Sequence, residues 1–220
     1  AERVVTRRAQ SRFVNALTFA RVPLIFAWAA LAVVQELLAE PTGGAGLALA
    51  VGACLAMLLS GLTDAWDGAL ARRWGVVSTL GKMADPLMDK IFYLVAFPVL
   101  SWQVLHQGGS EVHALVMVGF TVLYMLRDTW VTFMRSVGAL YGADVAAMWL
   151  GKVRTALSFP GAGWIYVYLC FHRLAPASWE DPWRASCYAV EAGLIALTVW
   201  SLYTYTVAYL PFLRMALERK

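Results

Sequence analysis

The sequence predicts an all-α polytopic membrane protein of six transmembrane helices with a short N-terminal juxtamembrane segment. Composition is the first reason. Of 220 residues, 60% are hydrophobic and 15% charged, where a soluble domain carries roughly 25% charged residues. Mean hydropathy is +0.62. Disorder is excluded, because there is ample apolar surface to bury, and a soluble enzyme of this size would lack the polar surface it needs. The second reason is that the apolar residues fall into six uncharged windows. The third is a one-sided distribution of Lys and Arg. The length suits one domain.

Residues 1–12 form a basic segment, with Arg3, Arg7, Arg8 and Arg12, suited to a juxtamembrane flank or an interfacial helix on anionic lipid. Residues 13–220 are expected to form the membrane domain. Its spans are centred on 22–35, 41–63, 91–110, 112–126 (continuing past Arg127 and Asp128), 155–171 and 192–213. These lengths suit helices crossing about 30 Å of hydrocarbon. The first window does not read as a signal peptide: it follows a long basic segment, lacks a cleavage pattern and precedes five more spans. Residues 41–46 and 107–110 are expected as short turns and 175–182 as a longer loop.

Thirteen cations fall on one side: the four N-terminal arginines, Arg72, Arg73, Lys82, Arg135, Lys152, Arg154, Arg214, Arg219 and Lys220. Only Arg173 and Arg184 fall on the other. The positive-inside rule then puts both termini in the cytoplasm of a cytoplasmic-membrane protein. Trp102, Trp179 and Trp183 suit the outer interface, and Trp66, Trp74 and Trp149 the inner one. The net charge of +4 thus reads as membrane orientation, with no nucleic-acid partner. The three cysteines offer neither a disulfide framework nor zinc spacing.

Residues 60–90 carry Asp64, Asp67, Asp85 and Asp89, four of the 14 acids, at the ends of two apolar helices. Charges at membrane depth are costly and are usually functional. On a helix, Asp64, Asp67, Gly68, Ala71 and Arg72 share one face. Asp85 and Asp89 lie one turn apart, with Gly81 one turn earlier. Two helices joined by a loop of about ten residues would each present two carboxylates. Such an oxygen-rich site suits hard divalent cations. The small residues leave room for a phosphate to approach backbone, and Arg72 suits an anion. His106, His113 and His172 fall at outer positions, and no Ser/His or Cys/His pairing is suggested, so no covalent enzyme intermediate is indicated.

Asp64-x2-Asp67-Gly68-x2-Ala71-Arg72-x8-Gly81-x3-Asp85-x3-Asp89 resembles the CDP-alcohol phosphotransferase signature at every fixed position. The resemblance implies a six-helix membrane enzyme that transfers a phosphatidyl or phosphoalcohol group from a CDP-linked donor to an alcohol, releasing CMP. It implies that Asp64, Asp67, Asp85 and Asp89 hold two divalent ions, Mg²⁺ or Mn²⁺, with Asp89 as general base. It also implies donor binding through Asn15, Thr18, Asp64, Gly68, Ala71, Arg72, Ser78 and Gly81, and a homodimer.

Two further runs are similar to the phosphatidylglycerophosphate synthase branch of that family. Asn15-Ala16-Leu17-Thr18-Phe19-Ala20-Arg21 looks like its N-x-L-T-x-x-R opening, near the nucleotide, although Arg21 also suits snorkelling to the interface. Arg127-Asp128, Arg135 and Gly151-Lys152-Val153-Arg154-Thr155 look like its R-E…R…G-K-x-K-T run, with Asp128 for Glu and Arg154 for Lys. Arg127, Arg135, Lys152 and Arg154 would form a cationic pocket for a phosphorylated acceptor. The resemblance thus implies CDP-diacylglycerol and glycerol 3-phosphate as substrates. Inositol 3-phosphate is the alternative acceptor. A cation transporter is disfavoured, because the acids lie at one side rather than at mid-membrane within inverted repeats.

Overall fold

A computed structural model describes residues 2–38, 40, 42–108, 110–143 and 149–218, without the side chains of residues 2–6, 82 and 83. Arg219 and Lys220, and the side chains of Arg3 and Lys82, counted above among the cytoplasmic cations, lie outside what is described. The described residues form six α-helices and no strand: α1 (Glu2–Leu37), α2 (Gly44–Trp74), α3 (Thr79–His106), α4 (Glu111–Leu140), α5 (Trp149–Phe171) and α6 (Ala177–Glu218). A 3₁₀ turn, His172–Leu174, links α5 to α6. Helices are the expected solution for a chain this apolar, because each satisfies its own backbone polar groups without water.

Five helices, all but α5, are long and apolar enough to cross a membrane. The window expected at 155–171 does form a helix, but its Gly, Ser, Pro, Trp and Tyr content dilutes its hydropathy. Those residues serve contact with neighbours instead: Gly151, Ser158, Gly161, Ala162 and Tyr166 of α5 are buried. α5 packs against α2, α3 and α6, while α1 packs on α2 and α3, and α4 on α3 and α6.

Both the interior and the outer surface of the bundle are apolar. Small and polar residues such as Ala50, Ala53, Ser60, Ser158, Thr198 and Ser201 face inward, letting helix backbones approach closely. Large apolar residues such as Leu55, Leu58, Val118, Val122, Trp200 and Val207 face outward, where lipid would meet them. Trp28 of α1 anchors the interior, edge-on to Tyr166 at 5.3 Å between centroids. Tyr93 and Phe97 of α3 stack against Phe120 and Tyr124 of α4, with centroids 4.6 and 4.8 Å apart in the tightest pairs. Each such aromatic pair adds roughly 1 kcal/mol beyond burial.

Three boundaries depart from the sequence reading. The basic N-terminal segment is continuous in one helix with the first span, so Asn15 and Thr18 sit inside α1 rather than near its start. The connection between the aspartate-bearing helices spans only 75–78, not about ten residues, because α2 runs on to Trp74. Gly75 there takes a left-handed φ of 63°, and Val76 N–H returns to the Ala71 carbonyl at 3.0 Å, a glycine-closed helix end. Ser78 then caps α3 by accepting from Gly81 N–H at 2.9 Å. Finally, most of the loop expected at 175–182 belongs to α6. Glu180 in the first turn favours the helix dipole, and Arg184 pairs with Asp181 one turn back. Pro182 is carried inside the helix without ending it.

Candidate active site

The tight turn at 75–78 sets the end of α2 beside the start of α3, and α1 crosses both. Asp64 and Asp67 come from α2, Asp85 and Asp89 from α3. Their exposure differs: the Asp67 side chain is buried, Asp64 is about half exposed and Asp89 intermediate. Asp67 Oδ2 accepts from the Thr18 hydroxyl at 2.7 Å. The guanidinium of Arg21, buried at 3% exposure, lies among the acids. Its Nη2 donates to Asp64 and, at 3.5 Å, to Asp67. Its Nη1 donates to Asp89 at 3.4 Å.

Asp64, Asp67 and Asp89 therefore converge on one cationic group, while Asp85 stands exposed and is not among its partners. Among the described residues, no three His, Cys, Asp or Glu side chains are close enough to enclose a metal ion. The donor set nevertheless has the right chemistry for hard divalent ions: carboxylate oxygens from two adjacent helices, directed at a shared positive charge.

Three cavities meet at these acids. One of about 300 Å³ lies between α1, α2 and α3 and is lined by Thr18, Asp67, Gly68, Ala71, Arg72, Ser78, Gly81 and Asp85. Thr18, Gly68, Ala71, Arg72, Ser78 and Gly81 among them were expected to bind the donor, and Asp67 and Asp85 to hold metal; of the expected donor residues, Asn15 and Asp64 do not line this cavity. Asn15 stands behind this wall, where its Oδ1 accepts from the Ser78 hydroxyl at 2.9 Å. Asp64 instead lines a second cavity of about 380 Å³ with Arg21, Asp89, Leu58, Phe92 and Phe159, between α2, α3 and α5.

The third cavity, of about 500 Å³, holds Arg127, Arg135, Lys152 and Arg154 together with Asp85 and Asp89. Arg127 and Arg154 are buried and share one carboxylate. Asp128 Oδ1 accepts from Arg127 Nη1 at 2.9 Å and from Arg154 Nη2 at 2.6 Å. The Arg127 guanidinium also donates to Ser201 Oγ of α6 and lies 5.0 Å from the Tyr205 ring centroid. That of Arg154 sits 3.9 Å over Tyr124. Such stacking favours arginine over lysine. Gly151 lets α5 approach here: a Cβ on it would meet Tyr205 Oη at 3.0 Å and Arg127 Nη2 at 3.1 Å.

The motif around Arg21 and its interfacial position do not reveal its place at the hub of three carboxylates. The available signal was its spacing from Thr18, one turn earlier on α1. The Asp128 bridge and the aromatic supports of the two arginines were also missed, because no local pattern links 124, 128, 154, 201 and 205.

Fold and site together define a class: a multi-pass helical membrane protein whose acids collect where three cavities join at one end of the bundle. The profile of the CDP-alcohol phosphatidyltransferase family matches residues 13–202, and the chain belongs to that family. It is a transferase of phospholipid biosynthesis. Its relatives include proteins named CDP-diacylglycerol–glycerol-3-phosphate 3-phosphatidyltransferase. Those of Escherichia coli (strain K12) and Shigella sonnei (strain Ss046) are 26% identical over 162 residues, covering 71% of this chain and 77% of theirs. That of Salmonella choleraesuis (strain SC-B67) is 26% identical over 160 residues, covering 70% and 76%.

Proposed function

We propose that the protein transfers the phosphatidyl group of CDP-diacylglycerol to glycerol 3-phosphate, giving phosphatidylglycerophosphate and CMP. The observation that carries this reading is the third cavity. It gathers five cationic side chains, Lys90 with the four expected ones, beside Asp85 and Asp89, so an acceptor phosphate and an acid able to take its hydroxyl proton have one place to meet. A dianionic phosphate gains charge-assisted hydrogen bonds there that an uncharged polyol does not.

In this reading, the cavity of Thr18, Gly68, Arg72, Ser78 and Gly81 receives the cytidine diphosphate. The more apolar cavity along Leu58, Phe92 and Phe159 suits the lipid end of the donor. Asp89 lines both that cavity and the acceptor's, as a base between the two substrates would. It takes the proton of the acceptor's sn-1 hydroxyl as that oxygen bonds to the β-phosphorus. The bond from that phosphorus to the bridging oxygen breaks, and CMP leaves with the electron pair. Asp64, Asp67, Asp85 and Asp89 would hold two Mg²⁺ or Mn²⁺ ions. Bound there, the ions would neutralise charge on the diphosphate and its leaving oxygen.

The same proposal takes α5 as a sixth span, both termini and the site on the cytoplasmic face of the inner membrane, and a homodimer as the working state. Release of CMP by purified protein, with a panel of acceptors, tests the reaction. Glycerol 3-phosphate should be the best acceptor, and activity should vanish in EDTA and return with Mg²⁺ or Mn²⁺. Equal turnover of free glycerol or serine defeats the cationic-pocket reading. If only inositol 3-phosphate works, the pocket stands and the acceptor changes.

A further inference from the structure

Arg21 is a buried arginine whose guanidinium donates to acids of two other helices. Its bonds reach Asp64, Asp67 and Asp89, which lie 43, 46 and 68 residues further along the chain. Its Nε is buried with no hydrogen-bond partner among the described residues. A snorkelling arginine would extend toward headgroups, whereas this one turns into the protein. Its charge is permanent, while the carboxylates it joins would otherwise repel one another.

We propose that Arg21 is a positioning residue: a tethered counter-ion that holds Asp64, Asp67 and Asp89 assembled in the metal-free protein and yields them to divalent cations. The proposal rests on the metal-dependent reading above. Two observations carry it. The guanidinium engages carboxylate oxygens of three acids that a hard cation would need. And Arg21 lines the 380 Å³ cavity beside Asp64 and Asp89, so the displaced group has space next to the acids it leaves. The aspartates are then pre-assembled before any metal arrives. The cost is competition, since an incoming ion binds only the fraction of molecules whose guanidinium has moved aside.

Mn²⁺ binding to the purified full chain in detergent, read by the paramagnetic resonance of free Mn²⁺, tests this together with thermal unfolding in EDTA. Arg21→Gln should bind Mn²⁺ about tenfold more tightly than wild type, because the competing charge is gone. It should melt earlier than wild type in EDTA, with the gap closing in saturating Mn²⁺. Arg21→Lys keeps a charge but loses the planar fork. It should shift both readings in the same direction by less, and it carries the test if Arg21→Gln does not fold without metal. A merely structural arginine would lower stability equally with and without Mn²⁺ and leave affinity unchanged, and that result overturns the proposal. So does wild-type Mn²⁺ binding that neither variant tightens, which leaves the metal site itself standing. Absence of Mn²⁺ binding by wild type removes the metal site, and the proposal with it.

Discussion

Asp128 serves two arginines with a single oxygen, accepting from Arg127 at 2.9 Å and Arg154 at 2.6 Å. One carboxylate thus orients both cations and offsets their mutual repulsion. Asp128→Asn keeps the shape but removes the charge and substitutes an amide for one acceptor oxygen. A charge-assisted hydrogen bond contributes about 1.5–3 kcal/mol, so KM for glycerol 3-phosphate should rise roughly tenfold or more while that for CDP-diacylglycerol stays close to wild type. Asp128→Glu should recover part of the loss, and steady-state kinetics with each substrate varied in turn would show it. A parallel rise in both KM values would place Asp128 in general folding instead. The aspartates of the site should divide differently. Asp67→Asn loses an acid that Thr18 and Arg21 orient, and it should weaken binding of a CDP-lipid. Asp89→Asn should abolish CMP release while retaining measurable nucleotide binding. Wild-type turnover by both variants would contradict the assignment.

At the scale of elements, the turn between α2 and α3 decides how the two carboxylate pairs meet. Gly75 holds a φ of 63°, and, its chain neighbours aside, no atom of the described residues lies within 4 Å of where its Cβ would stand. A substitution there is therefore a backbone experiment, free of packing effects. A left-handed conformation costs an ordinary L residue about 1–2 kcal/mol. Gly75→Ala should lower the melting temperature in detergent, and Gly75→Asn should lower it less, because Asn visits this region more readily. Equal melting of all three proteins would mean that the turn is not under this constraint. α5 teaches a related lesson. It is the one α-helix outside the candidate membrane spans, yet its small residues let Gly151 bring Lys152 and Arg154 toward α3, α4 and α6.

At the scale of the whole molecule, the carboxylate turn and the α3–α4 turn lie at opposite ends of α3. The bundle therefore has a chemical end and a structural end. With the cations biased to the chemical end, that end should face the cytoplasm. Accessibility of single cysteines checks this in a background lacking Cys54, Cys170 and Cys187. An impermeant thiol reagent added outside sealed cells should modify Ser110→Cys and leave Arg73→Cys untouched. The reverse labelling would turn the protein over and separate its site from cytoplasmic substrates.

Periodicity alone was enough to reveal the helices, because lipid-facing runs must be apolar and helical hydrogen bonds are local. It also put Asp64 beside Asp67 and Asp85 beside Asp89, since spacings of three and four residues are neighbours on any helix. Four clustered acids with interleaved small residues were visible as a candidate site for the same reason. The rest depended on distance in sequence. That Arg21 joins three aspartates more than 40 residues away follows from how α1 crosses α2 and α3. That Asp128 joins Arg154, and that Asp85 and Asp89 border more than one cavity, follows from how α3, α4 and α5 lean together. Sequence spacing sets which face of a helix a residue occupies. Which faces then meet is decided by the fit of small residues against large ones across the bundle, and only the folded chain contains that fit.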